Sequence, residues 1–266
     1  MNSRERGAAL FQYTTFHKQQ PYQSSGFEKL TLQQTCFELL LSNQLMVTDD
    51  QRMTDNGYRN TSFDDHSSIA ERLLRVLENF ADEFSRRGVP VHLDQIANDG
   101  KYLKGKKVGQ EPERFVEQFL VWPSLDIFGF DHWAQPYGYP KWDHSTPDFA
   151  IKNFQSNIKC AVIGEVKTPN KFEYAEMDIV EYLKSDLGDP TVAFATDGIK
   201  WKVYARPAKD DEHKLIASID LSETFARLPF RYKERESYDT FQTRQAMGDV
   251  DVMEKTAIER QATKIL

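Results

Sequence analysis

The chain has 266 residues, of which 39% are hydrophobic and 28% are charged, and its formal net charge is −7. This length and composition allow one sizeable core with a smaller accessory region, and the acidic balance excludes a uniformly basic surface for nucleic acid. Any nucleic-acid site therefore has to be a local basic patch. Two cysteines cannot form a disulfide framework, and no stretch is apolar enough for a membrane helix. The polar start also lacks a signal peptide, so we expect a cytoplasmic protein.

Residues 1–107 have a mostly helical pattern. An apolar helix is expected around residues 30–47, and Ser68 with Glu71 forms a capping box that begins a second helix over residues 67–87. Gly88 and Pro90 should end that helix. Such helices more often form a packing or dimerisation surface than a chemical site. We therefore predict an accessory region here, with a second copy or partner subunits as its expected contacts.

A dense basic stretch closes this region. It contains Tyr102 and four lysines, namely Lys101, Lys104, Lys106 and Lys107. A solvated loop and a rim that contacts nucleic-acid phosphates are both consistent with the pattern. Its position just before the next predicted segment favours the phosphate-contacting rim.

A further helix should begin at Pro112 and end by Pro123. Its apolar stripe consists of Phe115, Val116, Phe119 and Leu120. Glu113 lies in the first turn, where a carboxylate complements the helix dipole. Whether Glu113 also faces a functional site is open from this pattern alone.

Two stretches at residues 146–151 and 165–170 predict a β-hairpin that carries charged side chains. Asp148 can lie beside Glu165 in this hairpin, and Lys167 follows one strand step further along the same face. Two carboxylates and an ammonium group at a sheet edge suit a divalent cation and an activated water, although a structural salt bridge has the same pattern. A helix over 173–184 and strands over 191–196, 199–204 and 215–221 should follow.

The order of these motifs supplies a resemblance to a known family. Pro147-Asp148 followed by Glu165-Val166-Lys167 resembles the PD-(D/E)XK motif of restriction-endonuclease-like nucleases. The surrounding residues are similar to the N-terminal nuclease domain of type I restriction enzyme motor subunits. They are Glu113, Pro123, Leu125 and Gly129 upstream, with Asp197-Gly198, Trp201, Tyr204 and Ile219-Asp220-Leu221-Ser222 downstream. The resemblance covers residues 108–226.

The resemblance implies a fold and a division of the chain. The expected fold is α/β, with a restriction-endonuclease-like core in which helices flank a central mixed β-sheet, and with a mostly α-helical N-terminal region. We expect residues 1–107 to be the accessory region and residues 108–230 the nuclease-like core. Residues 231–266 form a charged tail whose weak helical pattern fits either an interaction helix or a partly disordered segment.

The resemblance also implies roles for individual residues. Asp148, Glu165, the carbonyl of Val166 and Glu113 would hold Mg²⁺, with Mn²⁺ as a substitute, and Lys167 would position or deprotonate the attacking water. Nucleic acid would contact the four lysines of the basic stretch together with Lys171 and Tyr182. One departure concerns the helix after Lys167, because Asp178 stands where the family commonly has glutamine.

These expectations combine into a metal-dependent DNA endonuclease of restriction or defence type, with RNA as a substrate left open. A nuclease-fold subunit that binds DNA or assembles with partners without cleaving is the alternative, and a structure-selective resolvase would share the chemistry. The chain contains no G-x-x-x-x-G-K-[ST] motif, so we predict no ATP-driven motor in it.

Overall fold

A computed structural model describes residues 67–140, 146–184, 190–208, 210–233 and 238–266. The predicted helix around residues 30–47 lies outside these ranges. The helices are α1 (Ile69–Arg86), α2 (Pro90–Asp99), α3 (Gly105–Val108), α4 (Pro112–Val116), α5 (Trp122–Phe128), α6 (Phe172–Lys184), α7 (Ser222–Arg227), α8 (Thr240–Gln245) and α9 (Lys255–Thr263). A π-helical turn over Glu117–Val121 joins α4 to α5, and 3₁₀ turns cover Leu228–Tyr232 and Asp251–Met253.

The helix over residues 67–87 is confirmed as α1, and it begins as its sequence predicts. The Ser68 hydroxyl accepts from the backbone N–H of Glu71, and the Glu71 carboxylate accepts from the backbone N–H of Ser68. This reciprocal pair satisfies two donors that the first turn cannot use. The chain then turns at Gly88, whose φ of 70° is readily adopted only by glycine.

The prediction that the helix beginning at Pro112 ends by Pro123 is wrong. The helical path continues through the π-helical turn into α5, which ends at Phe128 with Gly129 as its C-cap. A proline inside an α-helix removes one backbone donor and crowds the preceding turn. Here Pro123 lies in the first turn of a new helical segment, a position that tolerates a residue without a backbone N–H. The Ser124 hydroxyl donates to the carbonyl of Leu120 at 2.7 Å and satisfies an acceptor beside the irregular turn.

The described residues form a six-stranded mixed sheet in the order β1-β2-β3-β4-β5-β6. The strands are β1 (His132–Ala134), β2 (Phe149–Ile151), β3 (Ala161–Val166), β4 (Thr191–Thr196), β5 (Lys200–Arg206) and β6 (Lys214–Asp220). Among the described strands, only β3 and β4 pair in parallel, because α6 carries the chain back across the sheet between them. The predicted α/β class with helices flanking a mixed sheet is therefore confirmed.

The two faces of the sheet bury different sets of side chains. One face packs into a large apolar cluster that includes α1, the α4–α5 segment and the sheet residues Phe149, Phe194 and Trp201. The opposite face packs against α6 through Phe172, Ala175, Ile179 and Leu183. Because β3 alternates between these faces, Ile163 and Glu165 point to the α6 side. This places the polar end of β3 beneath one end of α6.

The tail joins the larger cluster. Met253, Ile258 and Ala262 are fully buried there together with side chains of α1 such as Phe80. The division at residues 107/108 and 230/231 stays a prediction, but the described parts of all three segments contribute to one hydrophobic cluster. In the described ranges, no helix has both the length and the apolar character needed to cross a membrane.

Candidate active site

The β2–β3 pair positions the first two carboxylates. Phe149 pairs with Gly164, so the preceding residue, Asp148, lies beside Glu165 at the same end of the sheet. Asp148 Oδ2 accepts a hydrogen bond from the backbone N–H of Val166 at 2.7 Å, and its carbonyl accepts from Gln135 at 2.8 Å. Asp148 is therefore held through its side chain by β3 and through its backbone by the residue that follows β1.

A glycine fixes the register of this pair. The Phe149 ring lies directly on Gly164, and a Cβ atom at residue 164 would be 2.0 Å from the ring. That contact is far inside van der Waals distance, and the fully buried ring packs edge-on against Trp122. No residue larger than glycine fits under the ring without displacing it. The placement of Asp148 beside Glu165 thus depends on Gly164.

Asp148, Glu165 and Lys167 form a triad of charged groups at this end of the sheet. Glu165 is its more buried acidic group, with 6% of its surface exposed. The pKa of its carboxyl is raised to about 8, mainly by burial and also by the charge of the neighbouring Asp148 and a hydrogen bond with it. The charge of Lys167 and a hydrogen bond from Tyr182 act in the opposite direction. Near neutral pH, burial and the adjacent charge of Asp148 together favour the protonated form of Glu165.

Lys167 follows β3 directly and lies between two carboxylates. Its Nζ is 2.8 Å from Asp178 Oδ2 and 3.5 Å from Glu165 Oε2. Burial alone would lower the pKa of this ammonium, but the hydrogen bond to Asp178 and the charges of Glu165, Asp178 and Asp148 raise it above its ordinary value. Lys167 is consequently a cation in this arrangement. Of the two roles expected for it, positioning and charge stabilisation fit this state, whereas deprotonating a water does not.

The structure brings a further glutamate to this site. Glu117 is 4% exposed at the start of the π-helical turn, one helical turn after Glu113, and Arg114 Nη1 lies 2.7 Å from its Oε2. The pKa of Glu117 is raised to about 7, mainly by burial, with smaller contributions from the charges of Asp148 and Glu113 and with Arg114 acting in the opposite direction. Glu113 itself is only partly buried. The charge of Asp148 thus acts on Glu117, which makes Glu117 a further candidate acidic group near this end of the sheet.

Glu117 is absent from the predicted site residues, although the sequence contains a signal for it. The residue lies between Val116 and Leu120 on the apolar stripe of its helix, where a charged side chain is rarely buried without a partner. A lone carboxylate on a predicted buried face marks either a structural ion pair or a functional group. Turns of π-helix also occur often at functional sites.

The basic stretch lies against the loop that follows Lys167. The Asn170 side chain donates to the carbonyls of Ile96 and Lys101 at 2.9 and 3.0 Å, and Asn170 itself has a φ of 69°. Lys171 Nζ lies 5.1 Å from the centre of the Tyr102 ring, half of which is exposed. These contacts join the basic stretch to the loop that directly follows Lys167. The remaining lysines of the rim, Lys104, Lys106 and Lys107, are exposed.

Tyr182 and Asp178 both contact the triad from α6. Tyr182, predicted to contact nucleic acid, donates to Glu165, and Asp178 pairs with Lys167. The aspartate that departs from the family pattern is therefore neutralised locally by the lysine of the motif. Sequence alone could not assign this partner.

The arrangement and the chemistry of these side chains bear differently on whether they could hold a divalent cation. In the described part of the chain, no three His, Cys, Asp or Glu side chains are grouped closely enough to form a metal site as they stand. Burial raises the pKa of both Glu165 and Glu117, and in each case the charge of Asp148 contributes to the shift. Oxygen ligands with excess negative charge are what Mg²⁺ and Mn²⁺ prefer, and a cation would relieve that repulsion. The types of donor therefore suit a divalent ion, but their arrangement in the described residues does not by itself form a site for one.

The raised pKa values make stability depend on pH. A carboxyl with a higher pKa in the folded state holds its proton there, so its contribution is complete at low pH and is lost as pH rises through the folded pKa. In EDTA, we expect the free energy of unfolding to fall between pH 5 and pH 8, by roughly 3 to 4 kcal/mol from Glu165.

Glu165→Gln should flatten this decline most clearly between pH 6.5 and 8, because glutamine cannot ionise. Chemical denaturation of both proteins across this range measures the effect. Two other acidic groups contribute at lower pH and remain in the variant. They are Glu117, with a pKa raised to about 7, and Asp197, with a pKa that burial raises to about 6. Identical pH profiles for the two proteins would contradict the assignment to Glu165.

Comparison of the chain with protein-family models, curated proteins and solved structures found no match.

Proposed function

We propose that this chain is a metal-dependent nuclease of the PD-(D/E)XK type with a restriction-endonuclease-like core, and that it hydrolyses DNA phosphodiester bonds. The observation that carries the proposal is the meeting of Asp148, Glu165 and Lys167 at one end of the β2–β3 pair on one face of the sheet. The resemblance in sequence names the same three residues. Fold similarity alone would not support an activity, but the site supplies the required groups.

The chain's own residues have separable roles in this chemistry. Asp148 and Glu165 would hold Mg²⁺ or Mn²⁺, together with the Val166 carbonyl and a glutamate of the α4–α5 segment, either Glu113 or Glu117. When bound, the ion polarises the phosphate and lowers the pKa of a coordinated water. Glu165 must release its proton before it can bind the ion. Lys167, as an ammonium group, offsets the negative charge that develops on the phosphate oxygens.

The basic rim supports nucleic acid as the substrate. Lys101, Tyr102 and Lys171 lie on the loop side of the triad, where a strand that reaches the site would pass. Lysines contact phosphates without reading sequence, and an exposed aromatic ring can stack on a base. This local patch meets the need for a basic surface on an acidic protein.

Cleavage of a substrate panel tests the proposal. Supercoiled plasmid, linear duplex, single-stranded DNA and RNA would each be incubated with the protein in Mg²⁺, Mn²⁺ or EDTA. We expect cutting of DNA that requires either ion and stops in EDTA. Cutting of RNA alone would transfer the proposal to a ribonuclease, and no cutting of any substrate would favour the non-cleaving subunit.

A pair of matched variants decides between the two glutamates. Glu117→Gln should lower the cleavage rate by about 10- to 100-fold, the range typical of groups that support a metal site. Glu113→Gln should leave the rate near that of the unmodified protein. Glu113 is more exposed than Glu117 and lies one helical turn before it, outside the buried residues 115–117. Initial rates on supercoiled plasmid at saturating Mg²⁺ measure both. The reverse order of effects would return the role to Glu113.

A further inference from the structure

The strongest polar contact of Lys167 comes from a residue outside the motif. Asp178 Oδ2 lies 2.8 Å from Lys167 Nζ, whereas Glu165 Oε2 lies 3.5 Å away. The Lys167 side chain is 20% exposed, so its ammonium is mostly surrounded by protein groups. Asp178 is thus the group that selects the direction of the ammonium.

One turn of α6 acts on two members of the triad. Asp178 and Tyr182 are four residues apart, which places them on the same face of a helix. The first contacts Lys167 and the second donates to Glu165. The helix is anchored to the sheet through buried Phe172, Ala175, Ile179 and Leu183, so both side chains extend from a fixed support.

The ion pair is poorly suited to a purely structural role. The Asp178 side chain is 43% exposed, and ion pairs that are open to solvent contribute little to stability. The local effect of Asp178 is geometric, because it draws the Lys167 ammonium toward α6. The ammonium in turn offsets the negative charge of Asp178. A glutamine at this position could accept a hydrogen bond but could not supply the charge.

We propose that Asp178 is a positioning residue for Lys167, held by α6 so that the ammonium stands ready at the reacting phosphate. This inference rests on the proposed nuclease function. It predicts that loss of the Asp178 carboxylate impairs the chemical step and leaves substrate binding intact.

Two readouts test the inference, and the first does not require activity. A lysine ammonium fixed by a carboxylate exchanges its protons slowly, and an ¹H–¹⁵N spectrum tuned to lysine Nζ groups shows it as a cross-peak, assigned here by its absence in Lys167→Arg. We expect this peak in the unmodified protein and in Glu181→Gln, which removes an exposed carboxylate from the same helix. It should be lost in Asp178→Asn. A peak that persists in Asp178→Asn would overturn the inference.

The second readout is steady-state cleavage. Asp178→Asn should lower kcat by about 10- to 100-fold with KM for DNA unchanged, and Asp178→Glu should retain more of kcat because it keeps the carboxylate. An unchanged or raised kcat, or equal losses in both variants, would overturn the inference. If the unmodified protein cleaves nothing, the proposed function fails, while the ammonium peak still decides whether Asp178 fixes Lys167.

Discussion

Lys167→Ala should lower the rate of metal-dependent DNA cleavage by about 10²- to 10³-fold, the typical effect of removing one group that stabilises charge in the transition state. Lys167 lies at the end of β3, and its ammonium is the cation that contacts Glu165 and Asp178. Without it, the charge that develops on the phosphate oxygens faces two carboxylates directly. The loss should therefore fall on kcat.

The matched control is Lys214→Ala, which removes an exposed lysine at the start of the far edge strand β6. It makes the same change in net charge and should leave cleavage unchanged. Calorimetric titration with Mn²⁺ should show that Lys167→Ala still binds the ion, since an ammonium is not a ligand. Equal rates for the two alanine variants would remove Lys167 from the mechanism.

Asp148→Asn should abolish stoichiometric Mn²⁺ binding, or weaken it beyond the 10- to 100-fold typical of groups that only support a metal ligand. The asparagine side-chain oxygen can still accept the hydrogen bond from Val166 N–H, so the β2–β3 connection should survive. What disappears is the negative charge. Because that charge also raises the pKa of Glu165 and Glu117, both glutamates should ionise more readily in the variant.

Asp131→Asn is the control for this change. Asp131 is an exposed aspartate next to β1, and its backbone bonds to Lys152 at the end of β2 away from Asp148. Calorimetry of both variants and the unmodified protein, at one pH and ionic strength, measures the ion's dissociation constant. Unchanged binding in Asp148→Asn would exclude Asp148 as a ligand.

Local patterns in the sequence were sufficient for most of the secondary structure. The capping box at Ser68 and the Asp197-Gly198 turn between two alternating segments specify elements through contacts only a few residues apart. The adjacency of Asp148 and Glu165 could also be predicted, because period-two alternation fixes which side chains share a face.

Features that depend on distant partners could not be predicted in this way. The helix continues past Pro123 because a π-helical turn and the Ser124 hydroxyl accommodate the proline, and local propensity contains neither effect. The pairing of Asp178 with Lys167 requires the docking of α6 on the sheet. The weak helical pattern of the tail does not decide between an interaction helix and a partly disordered segment. Met253 and Ile258 are buried there because they pack into the large apolar cluster that α1 and the sheet form.

The most direct test of the proposed nuclease site is one plasmid-cleavage assay with three proteins at equal concentration. The unmodified protein, Asp148→Asn and Lys167→Ala would each be incubated with supercoiled DNA in Mg²⁺, Mn²⁺ or EDTA. We predict nicked or linear product from the unmodified protein with either ion, none in EDTA, and little or none from both variants. Equal cutting by all three proteins, or cutting that persists in EDTA, would contradict the assignment of this site.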